Sequence, residues 1–135
     1  MTTPRERTDA GHDDHPAAQF SAAELGYLLG ERRLGRLATA DRAGQPHVVP
    51  VGWSYHADLG TVDISGHNFA ATRKYANVAA NPRAALVVDD VLPPWRPRCV
   101  LIQGRARTLD AADVGGGEAI IRITPEKITS WGLEE

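Results

Sequence analysis

Cysteine occurs once in these 135 residues, at Cys99. No internal disulfide can form, and no cysteine-rich zinc site can be assembled. Neither charge sign dominates: 15 Lys and Arg stand against 17 Asp and Glu, a formal net charge of −2. That balance argues against a sequence-independent nucleic-acid binder, which needs a cationic face. It leaves room for a local cationic pocket. No stretch approaches the roughly 18 apolar residues of a membrane helix. The N-terminal stretch is polar and lacks the apolar core of a secretory signal. Internal repeats, heptads and a Ser-His-Asp or Cys-His constellation are also missing. What remains is a single domain, long enough to bury roughly two-thirds of its unfolded surface. The expectation is a cytoplasmic protein with no membrane or nucleic-acid partner and no bound metal.

Residues 1–18 carry few large apolar side chains and many charges, so they read as a disordered tail ahead of a domain over 19–135. His12-Asp13-Asp14-His15 resembles a metal cluster, but a solvated tail would not hold its ligands rigid. Ser21-Ala22-Ala23-Glu24 is a capping-box pattern, and Leu25, Leu28 and Leu29 follow at helical spacing, which predicts a helix over 22–31. The chain then turns β, with strands expected over 34–40, 46–55 and 61–65. Pro50 cannot donate to a ladder. It marks an edge, a bulge, or a place where a ligand takes over exposed backbone. Asn68 is placed to cap a helix over 69–79, and Asn81-Pro82 ends it. Further strands are expected over 84–89, 99–109 and 119–124, with a turn at Pro125-Glu126-Lys127 and Ile128 to Trp131 ending the fold. Short strands, two or so short helices and no βαβ alternation point to a small β-barrel.

One run carries the chemistry. Ser65-Gly66 ends a strand, and Thr72-Arg73-Lys74 follows in the next helix. Small polar groups beside two adjacent cations form a phosphate pocket, or else Arg73 and Lys74 are a solvated helix face. Lys74 is the prime candidate. Ser65 offers a hydroxyl, and Gly66 permits close backbone approach.

The opening Leu34-Gly35-Arg36-Leu37-Ala38-Thr39, the turn, and Gly44-Gln45-Pro46-His47-Val48-Val49-Pro50-Val51 resemble the first hairpin of the pyridoxamine 5′-phosphate oxidase-like split-barrel family. Thr72-Arg73-Lys74 with Asn81-Pro82-Arg83 resembles that family's cofactor-phosphate helix and the turn after it. Val88-Asp89-Asp90, Pro93-Pro94-Trp95-Arg96-Pro97-Arg98 and Ile128-Thr129-Ser130-Trp131-Gly132 are similar to its actinobacterial branch, which uses the deazaflavin coenzyme F420. The likeness spans 34–131.

The resemblance implies a mainly β fold, a six-stranded split β-barrel that pairs as a homodimer. Two cofactors would sit at the subunit interface, each touched by both chains. It implies an F420-dependent oxidoreductase that moves hydride between the deazaflavin and a small unsaturated substrate of the enone or quinone type. An FMN-binding reductase of the same fold, or a non-catalytic flavin, deazaflavin or haem module, is the alternative. The cofactor ring would lie along the second strand, against backbone at Val49, Pro50 and Val51. Trp95 is the aromatic best placed to line the pocket, ahead of Trp53 and Trp131. Gln103 and Arg105, beside Gly104, would reach the partner's cofactor. Arg32, Arg33, Arg36, Arg83, Arg96 and Arg98 would meet the extra carboxylates of the deazaflavin tail. Such a cofactor carries the redox chemistry itself, which accounts for the missing catalytic constellation. Pyridoxamine-phosphate oxidase activity itself is not expected.

Overall fold

Ser21 starts the first helix as its pattern predicts. In the computed structural model, which describes residues 15–133, helix α1 runs Ala22–Gly30 behind a complete capping box. The Ser21 Oγ accepts from the Glu24 amide at 3.1 Å, and the Ser21 amide donates to Glu24 Oε1 at 2.9 Å. The seven strands are β1 (Gly35–Ala40), β2 (Pro46–Val51), β3 (Trp53–His56), β4 (Thr61–Ile64), β5 (Arg83–Leu92), β6 (Arg96–Leu109) and β7 (Ile120–Trp131). Between β4 and β5 lie a single 3-10 turn, Phe69–Ala71, and helix α2, Arg73–Ala80.

All strands join one antiparallel sheet in the order β2-β1-β5-β6-β7-β4-β3. Its two edge strands, β2 and β3, are consecutive in the chain and separated by Gly52 alone. The sheet must therefore curl until its edges meet at that corner. Trp53 fastens the corner: its Nε1 donates to the Arg33 carbonyl at 2.8 Å. The fold is mainly β with two α-helices, a curled half-barrel.

Several expectations are corrected. The expected strand over 46–55 is divided at Gly52. The expected strand 119–124 runs on to Trp131, because the chain passes 125–127 by a bulge rather than a turn. Gln103 pairs with Lys127 while Gly104 pairs with Pro125, so Glu126 is the extra residue. The count is seven strands rather than six. Asn68 is not a helix cap. It sits in the left-handed region at φ 52° with no capping bond, and Thr72 caps α2 instead. Of the expected tail, 15–18 lie against the bulge: Ala17 and Ala18 amides donate to the Pro125 carbonyl at 3.0 and 3.3 Å. Residues 1–14, with most of the His12–His15 run, lie outside the described residues.

Period-two burial explains the core. Leu37, Leu86, Val88, Val100, Ile102, Ile121 and Ile123 point inward and are fully covered, with Val62 and Ile64 from β4. The helices close opposite ends of the curl. At one end α1 adds Tyr27 and Leu28, and Ser130 Oγ donates to Glu24 Oε2 at 2.6 Å. At the other, α2 adds Val78, and Asn77 Nδ2 donates to Thr39 Oγ1 at 3.0 Å.

Candidate functional site

The connection from β4 to α2 gathers the expected phosphate residues around one side chain that the sequence reading missed. Phe69 is 2% exposed and anchors the segment in the core. The Cβ position of Gly66 lies 3.5 Å from its ring. Thr72 Oγ1 donates to the Phe69 carbonyl at 2.7 Å and accepts from the Tyr75 amide at 3.4 Å. Lys74 Nζ stands 5.5 Å from the ring centroid, and Tyr75 meets the same ring edge-on at 5.7 Å. As the one large apolar residue between Gly66 and Lys74, Phe69 was the available signal.

Thr72 thus spends its hydroxyl on the helix start. Arg73 is exposed and Lys74 half-buried. Among the described residues neither pairs with a carboxylate. Arg33, Arg36, Arg83, Arg98, Arg105 and Arg122 all do. Ser65 and Gly66 are exposed just ahead of them. A pair of cations without counter-charge, at the start of a helix and beside an open glycine, can take an oxyanion.

The other expected residues lie elsewhere in the chain. Val49 and Val51 turn their side chains inward, and Val51 is buried. Pro50 is exposed on the outward face, opposite Arg36. Their backbone belongs to an edge strand, so one side of β2 has no partner strand within the sheet. Trp95 is 75% exposed in the turn 93–95. That turn is at the far end of the β5–β6 ladder from Arg83, about 30 Å of strand away. Gln103 is exposed on the outward face, in a groove of about 500 Å³ floored by Ala38, Ala40 and Ala85. Within one chain, then, Trp95 and Gln103 do not join Lys74.

Trp53 is engaged at the Gly52 corner, and Trp131 is half exposed beside Cys99. Cys99 is buried, and burial, with Asp89 nearby, pushes its thiol up. It packs as an inert small hydrophobe. His67 is exposed, while His47 faces Thr39 across β1–β2 with its Nδ1 buried and unpartnered. Among the described residues no group of His, Cys, Asp and Glu could hold a metal ion, and no helix is long and apolar enough to cross a membrane.

Comparison with known proteins adds four findings. A family model described as pyridoxamine 5′-phosphate oxidase matches residues 22–132. The 5a,11a-dehydrotetracycline/5a,11a-dehydrooxytetracycline reductase of Streptomyces rimosus is 40% identical over 124 residues, covering 85% of this chain and 84% of that protein. Among solved structures, an F420 reductase superposes with a TM-score of 0.56 at 20% identity, over 77% of this chain and 94% of that one. The FAD-binding protein of Mycobacterium smegmatis superposes at 0.62 with 24% identity, over 84% and 97%.

Proposed function

Because the chain belongs to the pyridoxamine 5′-phosphate oxidase family, we propose that it is a cytoplasmic F420-dependent oxidoreductase acting on a small unsaturated organic substrate of the enone or quinone kind. The observation that carries the proposal is the cradle at Ser65, Gly66, Arg73 and Lys74. Two cations without carboxylate partners stand there on a buried aromatic anchor. The reductase from Streptomyces rimosus and the F420 reductase of the same fold support the redox class.

When bound, the coenzyme supplies hydride transfer. The chain's own residues bind and orient it. Lys74 and Arg73 neutralise the phosphate, and Ser65 donates a hydroxyl to it. Gly66, which carries no side chain, leaves backbone free to approach. The edge-strand backbone at Val49, Pro50 and Val51 borders the ring, where Pro50 has no N–H to offer a neighbouring strand.

Trp95 and Gln103 reach such a cofactor only from a second copy, so the proposal includes a homodimer. The outward face of β2-β1-β5-β6-β7 suits it. Val48 there is 64% exposed, and Val91 and Trp131 are 45% and 51% exposed. Each subunit would lend Trp95 and Gln103 to its partner's site.

FMN carries a phosphate of the same kind and is the second reading. The FAD-binding protein of the same fold keeps a flavin in view. The test is a fluorescence titration of the purified protein with F420 and, separately, with FMN. Micromolar or tighter F420 binding with weak FMN binding is expected. The reverse order moves the protein to the flavin branch, and binding of neither sinks the redox assignment. Lys74→Ala should weaken binding by about 1.5–3 kcal/mol, the range of charge-assisted hydrogen bonds, with little change in melting.

A further inference from the structure

A sizeable cavity lies not at the cradle but at the other end of the curl. It measures about 710 Å³ and lies between α1, the β5–β6 hairpin and the segment after β7. That volume falls within the roughly 300–1,000 Å³ typical of small-molecule sites. Its helix wall is Ala22, Ala23 and Gly26, whose small side chains, two methyl groups and a hydrogen, leave room for a slot. A Cβ added at Gly26 would meet nothing within 4 Å. Leu92, Pro97 and Leu133 give the opposite side an apolar lining.

The charged side chains that line this cavity are both cations, beside the Tyr27 phenol. Arg96 and Arg98 stand two apart on one face of β6, opposite Leu92 and Asp90. Asp90 is already saturated. It accepts from the Tyr27 hydroxyl at 2.9 Å, from Arg33 Nε at 3.0 Å, and from Arg98 Nε and Nη2 at 2.9 and 2.6 Å. Arg98 Nη1 is left for another acceptor, and Arg96 has no partner among the described residues. Among the described residues the rim therefore offers guanidinium donors of Arg96 and Arg98 that no carboxylate accepts from, beside an apolar slot.

From this geometry we propose that the cavity is a binding site for a small organic acid, whose carboxylate bridges Arg96 and Arg98 while its apolar body lies along the Ala22-Ala23-Gly26 wall. Arg presents a planar fork that matches a carboxylate. The slot, flat on the helix side, favours a planar or lightly branched body. Within one chain this site lies at the other end of the curl from the cradle at Lys74; in the proposed homodimer, where Trp95 beside Arg96 reaches the partner's cofactor, it would border that cofactor, and 2-naphthoate tests it without one.

The test is calorimetric titration of the full chain with 2-naphthoate and with its neutral counterpart 2-naphthalenemethanol. The acid should bind about ten- to a hundredfold more tightly than the alcohol, the ratio one or two charge-assisted bonds give. Arg96→Ala should remove that preference without lowering the melting temperature, since Arg96 holds no structural partner. Gly26→Leu should abolish binding of both compounds by filling the slot, while favouring the helix. Equal affinity for acid and alcohol, binding of neither at millimolar concentration, or unchanged affinity in both variants would overturn the proposal.

Discussion

At the scale of single residues, two glycines show how position decides what a methyl group does. A Cβ on Gly104 would sit 2.0 Å from the Thr124 carbonyl oxygen, inside the bulge where β6 meets β7. Backbone must move to admit it. Gly104→Ala should cost about 3 kcal/mol, the upper range for overpacking, read as a lower urea midpoint. Gly26 is exposed in a helix with open space where its side chain would be. Gly26→Ala should add about 1 kcal/mol through helix propensity. An unchanged midpoint for Gly104→Ala would mean that the bulge is not tight. The glycine inside the long strand was legible in the sequence as a bulge or a close approach, because glycine weakens a strand unless something needs the room. Which carbonyl it yields to was not legible, since Thr124 is brought there only by the register of β7. Phe69 shows the converse: its apolar character was plain, but its place under Lys74 depends on a 3-10 turn that no periodicity announces.

At the scale of elements, helix starts were readable only where the cap was unambiguous. Ser21 and Glu24 form a reciprocal pair and can be read directly. Before α2 the pattern pointed to Asn68, but Asn68 is left-handed and makes no capping bond, and Thr72 caps the helix. Thr72→Ala should therefore cost about 1 kcal/mol, a typical N-cap loss, and Thr72→Ser should restore most of it in the same denaturation assay. If Asn68→Ala were the more damaging change, the cap assignment would be wrong. Strand runs were visible, but their joints were not. Gly52 divides 46–55 because the chain must leave one sheet edge for the other. Pro125 and Glu126 look like a turn in sequence, yet Glu126 is absorbed as a bulge and held by Arg83 and Arg105. Turn residues and bulge residues share a composition, and only the partner strand separates them.

At the scale of the molecule, the Tyr27–Asp90–Arg98 cluster ties α1 to the sheet and sets a pH window. The Arg98 guanidinium, with Arg33 and the Tyr27 hydroxyl, holds the Asp90 carboxyl well below the usual carboxylate range against the opposing effect of burial. Burial, with the bond to Asp90, pushes the Tyr27 phenol well above its usual range. A depressed carboxyl gives stability above its unfolded pKa of about 4 and loses it as pH falls further. A raised phenol gives stability below its unfolded pKa of about 10 and loses it as pH rises further. Urea midpoints should form a plateau between those values. Asp90→Asn should lower the plateau and flatten the acid limb, while Tyr27→Phe should remove the alkaline contribution of the phenol and only soften the acid limb, since Arg98 and Arg33 still hold Asp90. An acid limb unchanged in Asp90→Asn would remove Asp90 from this role. The family and the mainly β class were legible from motif order along 34–131. The strand order was not, because residues far apart in the chain settle it.

That strand order has a consequence for a chain emerging from the ribosome. β3 and β4 are finished by residue 64 and pair with each other, yet β4 finds its second neighbour only in β7, through Val62 with Ile123 and Ile64 with Ile121. Until β7 has cleared the exit tunnel, one flank of the sheet has nowhere to dock. β1, β2, β5 and β6 can meanwhile pair with each other. The nascent protein would then wait as a four-stranded sheet with a loose hairpin, and the arrival of β7 would close it like a zip.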